Sequence, residues 1–389
     1  MPDIVQRIDR ATPAGRDRAV DGLRALAILG VVLGHWLVTG LVMDSSTLHG
    51  DSPLHHMPEF TPVSWVFQTL AVFFFVGGEV GAKSYASSVA KGATYRRWLG
   101  ARLGRLLRPV AAVLMVWTAA ACVMLVAGVD QKSVRALCKL VWSPLWFLLV
   151  FSVLTALTPL VAKLHPLWPF AVVLCVDVIR FGLDGPAGLA SVNVVAGWLV
   201  PYCLGAAGAG QRLRSRKTGW FLLLGGAAAT AALVRWAGYP ASMVGVPGQK
   251  ISNLDPPTLA VVAFGLAQCG AAILLTGPLR RLLRRPSAWA AVAMVNLFAM
   301  TIFLWHQTAM IVVTEVGALV GAPRTGLRTV PDSIAWVLAR LLWLPVFALA
   351  LSVCWAVFRT YEQRGSDNRG GSRDIGDGRP AAASAKQYG

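Results

Sequence analysis

Apolar runs of about twenty residues recur along this chain between residue 19 and residue 359. A helix of that length spans the roughly 30 Å hydrocarbon core of a bilayer. Lipid offers no water to bond the backbone, so each run is expected to be helical. Only 14% of the residues are charged and 56% are hydrophobic, whereas a soluble domain carries about a quarter charged residues. The expected spans are 19–42, 63–85, 107–128, 144–163, 167–183, 191–210, 219–237, 256–277, 290–317 and 335–359. The fold class expected is an all-α polytopic membrane protein of about ten transmembrane helices. The fifth span is the shortest and carries Asp177 and Arg180; the tight turn Lys163, Leu164, His165, Pro166 joins it to the fourth.

Charge sets the orientation. The 36 Lys and Arg against 18 Asp and Glu give +18, a balance that suits nucleic acid when it forms a basic patch. Here the basic residues sit in short connections, so no nucleic-acid partner is expected. With the N-terminus inside, the cytoplasmic connections hold Lys83, Lys91, Arg96, Arg97, Arg102, Arg105 and Arg108, then Arg212, Arg214, Arg216 and Lys217, then Arg280, Arg281, Arg284 and Arg285. The opposite connections hold none in 43–62, then Lys132, Arg135 and Lys139, then Arg324 and Arg328. That alternation is the positive-inside pattern, and it places both termini in the cytoplasm.

The chain divides into a cytoplasmic arm (1–18), one membrane domain (19–359) and a tail (360–389) poor in large apolar residues, for which disorder is expected. The arm has no apolar stretch directly after its basic residues and no small-residue cleavage site, so it is not read as a signal peptide. Arg far outnumbers Lys, and Ala, Val and Gly are abundant. That usage suits a GC-rich bacterial gene and so a bacterial plasma membrane. The six cysteines show no CxxC spacing, and all but Cys138 lie in apolar runs, as packing residues do. The loop histidines His49, His55 and His56 lack the spacing of a metal site and are read as solvated, so no metal is expected.

Ionisable groups inside spans are costly, and they face partners or watery cavities. The first span holds Asp21, Arg24 and His35. Arg24 and His35 are eleven residues apart, three turns plus about 20°, so they share a face roughly 16 Å apart along the axis. Asp21 is placed to pair with Arg24. In the second span, Gly77, Gly78 and Gly81 permit close helix approach. Glu79 among them is either a buried partner for an arginine or a cavity residue. The ninth span holds His306, and Asp177 and Arg180 are spaced to neutralise each other. Arg102, Arg105 and Arg108 recur every three residues. They suit either an amphipathic helix on anionic lipid or an anion cradle at the cytoplasmic mouth.

These residues together resemble a known family. The segment RDRAVDGLRALAILGVVLGH, with Arg24 ten intervening residues before His35, is similar to the signature of the acyltransferase family 3 membrane proteins. FFFVGGEVGAKS at 73–84 resembles the family's second-helix segment, with Gly77 where a serine is common. ARLGRLLRP at 101–109, LWFLLVFSVLTALTPL at 145–160 and TIFLWHQTA at 301–309 resemble its later motifs in the right order. YPASMVGVPGQKISNLDPPTL at 239–259 resembles an extracytoplasmic loop of actinobacterial members. The resemblance implies a ten-helix enzyme that moves an acyl group, commonly acetyl from acetyl-CoA or another acyl-CoA, to a hydroxyl on a carbohydrate, lipid-linked or small-molecule acceptor. It implies His35 as the catalytic histidine, Arg24 as its companion, and Arg102 and Arg105 near the donor. No tightly bound cofactor is expected.

The chemistry needs a base for the acceptor hydroxyl and help for the developing oxyanion. His35 is expected to supply the base, because an imidazole in a partly dry cavity can remain neutral and accept the proton. Arg24, Arg102, Arg105 and Arg108 suit the donor phosphates. His306 or Glu79 would orient the imidazole or the acceptor, with Asp21 and Asp177 in support. Direct transfer is expected, since no serine–histidine–acid pattern supports a covalent route. The competing class is a transporter or flippase whose intramembrane His, Arg and Asp relay protons; binding of an acyl-CoA separates the two.

Overall fold

The computed structural model describes residues 2–45, 47–209, 215–249 and 251–367. Its helices are α1 (Pro2–Arg10), α2 (Arg18–Val38), α3 (Pro53–His56), α4 (Ser64–Phe67), α5 (Leu70–Ala90), α6 (Tyr95–Val126), α7 (Gln131–Trp142), α8 (Leu145–Ala156) and α9 (Thr158–Val161). They continue as α10 (Leu167–Asp177), α11 (Ala190–Gly208), α12 (Arg216–Trp236), α13 (Leu259–Leu282), α14 (Pro286–Leu297), α15 (Ala299–Leu319) and α16 (Ile334–Asp367). One antiparallel hairpin, β1 (Gly40–Asp44) and β2 (Thr47–Asp51), pairs Gly40 with Asp51 and Asp44 with Thr47. The protein is an all-α polytopic membrane protein.

Among the described residues nine helical segments are long and apolar enough to cross a bilayer. The expected span at 167–183 is not one of them: α10 and the π-turn Val178–Gly182 that continues it total roughly 24 Å at helical rise. Hydrogen bonds fix the chain on either side of it. Ahead of its start, the Thr158 and Tyr202 hydroxyls meet at 2.7 Å, and Tyr95 at the start of α6 donates to the Ala156 carbonyl. The chain enters α10 from that level. At its far end Asp177 accepts from Tyr239 Oη (2.9 Å), from the Leu259 amide that opens α13 (2.7 Å) and from Asn193 Nδ2 (3.0 Å). Nine long segments stand against about ten expected, and the difference is α10, which is too short to count as a span by length.

The helices depart from the hydropathy pattern in four places. The first span ends at Val38, where the Thr39 amide closes on the His35 carbonyl, and residues 40–44 turn into β1. The second is broken at Gln68 and Thr69; the Gln68 carbonyl accepts from Gln268, and Thr69 Oγ1 donates to the Ala27 carbonyl at 2.6 Å. The ninth is broken at Phe298 between α14 and α15. The loop expected before the fourth span contains α7, which packs on β2 with Val134, Leu137, Cys138 and Val141 buried. The basic segment 95–108 is not a separate surface helix. It is the first half of α6, whose 32 residues reach about 48 Å, well beyond the hydrocarbon core. α16 runs on to Asp367; residues 368–389 of the expected tail, with Arg212 and Arg214 of the basic connection, lie outside the described residues.

Small residues bring the central helices together. A Cβ on Gly78 would strike the Tyr202 carbonyl of α11, and one on Gly205 would strike the Phe75 carbonyl of α5. The two backbones thus touch, as small-residue stripes allow. α2 packs against α5, α13, α14 and α15, so its polar stripe runs through the middle of the bundle.

Candidate active site between two cavities

Two cavities lie along the polar stripe of α2. The inner one, 320 Å³, is lined by Arg24, Arg102, Arg105 and Asn296 among apolar side chains, and by Gly77. The outer one, 670 Å³, is lined by His35, Gln68, Gln307, Asp51, Lys139 and Asp255. Val31, Leu70, Phe147 and Phe303 line both. The cavities therefore meet at a collar of four apolar side chains, with the guanidinium groups on one side and the imidazole on the other.

The polar side chains of the inner site come from three helices, α2, α6 and α14. Arg24 Nε donates to Asn296 Oδ1 at 2.5 Å, and its Nη2 pairs with Asp21 at 2.7 Å. Asn296 donates in turn to the Asp21 carbonyl, so the last turn of α14 holds Arg24 in place. Arg102 Nη2 donates to the Val80 carbonyl (3.3 Å), and its guanidinium lies over the Trp98 ring. Its buried Nε has no hydrogen-bond partner among the described residues. A buried donor left unpaired is costly, so this one is suited to an acceptor from outside the chain. Arg105 is exposed, so the cavity reaches the surface of the protein there. A side chain on Gly77 would run into the Phe151 ring, which takes the space a serine would need.

At the outer site His35 Nδ1 lies 3.3 Å from Gln307 Nε2, and the rings of His35 and His306 stand 5.1 Å apart at 45°. His306 is buried behind His35 and lines neither cavity; its Nδ1 donates to the Phe303 carbonyl at 2.6 Å. Its Nε2 has no hydrogen-bond partner among the described residues. Trp36 Nε1 donates to the His306 carbonyl, which ties α2 to α15 one residue beyond His35. Around the rim, His56 Nε2 meets Asp51 Oδ2 at 2.7 Å. Burial pushes the Asp51 carboxyl up, but the His56 ring, the Ser52 amide and the two nearby imidazoles outweigh it and hold it below the usual carboxylate value.

The structure brings together Asp21, Arg24, Arg102 and Arg105, and it sets His35 and His306 side by side. Other residues fall elsewhere. Arg108 is exposed and lines neither cavity. Glu79 is buried, pairs with Lys83 at 2.6 Å and lines neither cavity. Asp177, 3.8 Å from Arg180, fastens the outer ends of α10, α11 and α13 away from both cavities.

Three residues missed in the sequence matter here. Asn296 and Gln307 are uncharged amides in the ninth apolar run, and no buried charge marks them in the sequence. Arg340 in α16 is fully buried and donates to the carbonyls of Trp36 (2.6 Å), Thr39 (2.5 Å) and Gly326 (2.7 Å). It closes the C-terminal end of α2 next to His35. The cost of a lone arginine within a span was its signal.

Residues 17–359 match the acyltransferase domain of family 3, and the chain belongs to that family. No curated protein and no solved structure matches it.

Proposed function

We propose that this membrane acyltransferase takes an acyl-CoA, acetyl-CoA first, into the inner cavity and passes the acyl group to a hydroxyl held in the outer one. The observation that carries the reading is the pair of cavities meeting at Val31, Leu70, Phe147 and Phe303, with arginines on one side and His35 on the other. Arg102 and Arg105 hold donor phosphates at the cytoplasmic end, where guanidinium forks suit phosphate oxygens. Arg24 lines the deeper wall of the same cavity. The roughly 16 Å between Arg24 and His35 along α2 is a span that a long, thin pantetheine arm can bridge.

In this reading His35 takes the proton as the acceptor oxygen attacks the thioester carbonyl. Collapse of the tetrahedral intermediate releases the thiolate of coenzyme A, which regains a proton. If Nε2 is the base, the ring proton must sit on Nδ1, and Gln307 must present its Oε1 to it. A half-turn of the carboxamide does so, since that oxygen has no hydrogen-bond partner among the described residues. The polar rim of the outer cavity suits a carbohydrate, a glycolipid or another polyhydroxyl acceptor. The bacterial plasma membrane is the setting proposed.

Binding of radiolabelled acetyl-CoA to purified protein in detergent tests the reading. Saturable binding, lost in Arg102→Ala and kept in His35→Ala, is expected. A folded wild type that binds no acyl-CoA would favour the transporter instead.

A further inference from the structure

We infer that Asp51, His55 and His56 form a three-ligand site for a divalent transition cation, zinc foremost, at the rim of the outer cavity. Asp51 is the last residue of β2, and the two histidines end the short helix α3 that follows it. Their ligand atoms all lie within 4.8 Å of one another. Asp51 Oδ2 is 2.7 Å from His56 Nε2, and Oδ1 is 3.7 Å from His55 Nδ1. Ligands about 2.1 Å from a tetrahedral zinc stand roughly 3.4 Å apart, a separation these two distances bracket. The rings of His55 and His56 stand 4.8 Å apart at 46°, so neither blocks the other.

The local fold accounts for the arrangement. Ser52 caps α3 by accepting the Leu54 amide, and the Ser52 amide donates to Asp51 Oδ1 at 2.7 Å. The carboxylate is thereby oriented toward the turn that carries both imidazoles, as an outer partner orients a metal ligand. β2 is pinned from behind by Ser133 of α7, whose hydroxyl accepts the Leu48 amide at 2.8 Å. Two imidazoles and one carboxylate are a donor set suited to zinc, and three protein ligands leave a fourth position open. Asp51 and Ser52 line the outer cavity, so that position faces the space where a hydroxyl or carboxylate of a bound molecule would lie. His49, on the same hairpin, lies outside the cluster. The inference stands apart from the donor reading and from the role of His35.

The test uses full-length protein in detergent, its affinity tag removed, stripped with a chelator and titrated with zinc chloride by calorimetry. One zinc per chain is expected. Binding should vanish in His55→Ala and in His56→Ala, weaken at least tenfold in Asp51→Asn, and persist in His49→Ala. Cobalt(II) added to the wild type should give the visible absorption bands of a four-coordinate site, a readout that needs no variant. Absence of stoichiometric zinc binding by the wild type would overturn the inference. So would binding that survives His55→Ala and His56→Ala, or a cobalt spectrum of the octahedral aquo ion.

Discussion

His35 and Gln307, brought together from positions 272 residues apart, meet at 3.3 Å on the wall of the outer cavity. The contact joins the end of α2 to the middle of α15, and the end of the carboxamide that faces Nδ1 decides which ring nitrogen carries the proton. In the proposed mechanism Gln307 turns its oxygen to Nδ1, and Nε2 serves as the base. Replacing His35 with Ala should lower kcat by about 10²–10⁴-fold, the usual worth of a positioned general base, without disturbing membrane insertion. Full activity in that variant would remove the role.

Gln307→Leu keeps the imidazole but removes the group that fixes its tautomer. We expect kcat to fall about tenfold or more, with the KM for acyl-CoA unchanged and a displaced acidic limb in the pH–rate profile. A merely structural role for Gln307 would lower the amount of folded protein and leave the profile in place.

Arg102 carries the unpartnered buried Nε of the inner cavity. A hydrogen bond to a charged group is worth about 1.5–3 kcal/mol, which is roughly a 10- to 150-fold loss of donor affinity in Arg102→Ala. Arg108→Ala, outside both cavities, should bind the donor as the wild type does. Equal losses in the two variants would point to a general effect of basic charge on the anionic donor.

Much of the fold is legible in the sequence because lipid allows so few solutions. Run length gives the spans, and the basic connections set the expected direction. The short helix α10 shows the limit of run length, since Asp177 and its partners set where that helix ends. The breaks at Gln68–Thr69 and Phe298 are hidden for a related reason. The residues there are as compatible with a helix as their neighbours, and the break is held by distant groups such as Gln268 and Ala27. The inner site is half legible: the cost of a buried charge points to Arg24, whereas its partner Asn296 is uncharged. Asp51, His55 and His56 form a cluster only because Ser52 starts a helix that returns both imidazoles to the strand end.

Arg340 satisfies three backbone carbonyls in the protein interior. Arg340→Met removes the donors and leaves the acceptors buried, which should cost about 2–4 kcal/mol. A lower thermal midpoint of the detergent-solubilised protein is expected, with donor binding retained at low temperature. An unchanged midpoint would mean that other groups satisfy those carbonyls.

Tyr239 adds a pH signature outside the membrane spans. Burial first, and then the adjacent Asp177 carboxylate, push its phenol above the ordinary value. A raised value favours the neutral form in the folded state, so its contribution is complete below about pH 10 and is lost as pH rises beyond it. The wild type should lose thermal stability above that pH more steeply than Tyr239→Phe. Parallel curves for the two proteins would contradict the assignment.

The sidedness of donor binding tests the central claim most directly. Labelled acetyl-CoA, which does not cross membranes, is offered to sealed vesicles carrying the wild type in either orientation. Saturable binding is expected where the cytoplasmic face is exposed, and it should be lost with Arg102→Ala. Binding from the opposite face, or binding indifferent to Arg102, would contradict a donor site in the inner cavity.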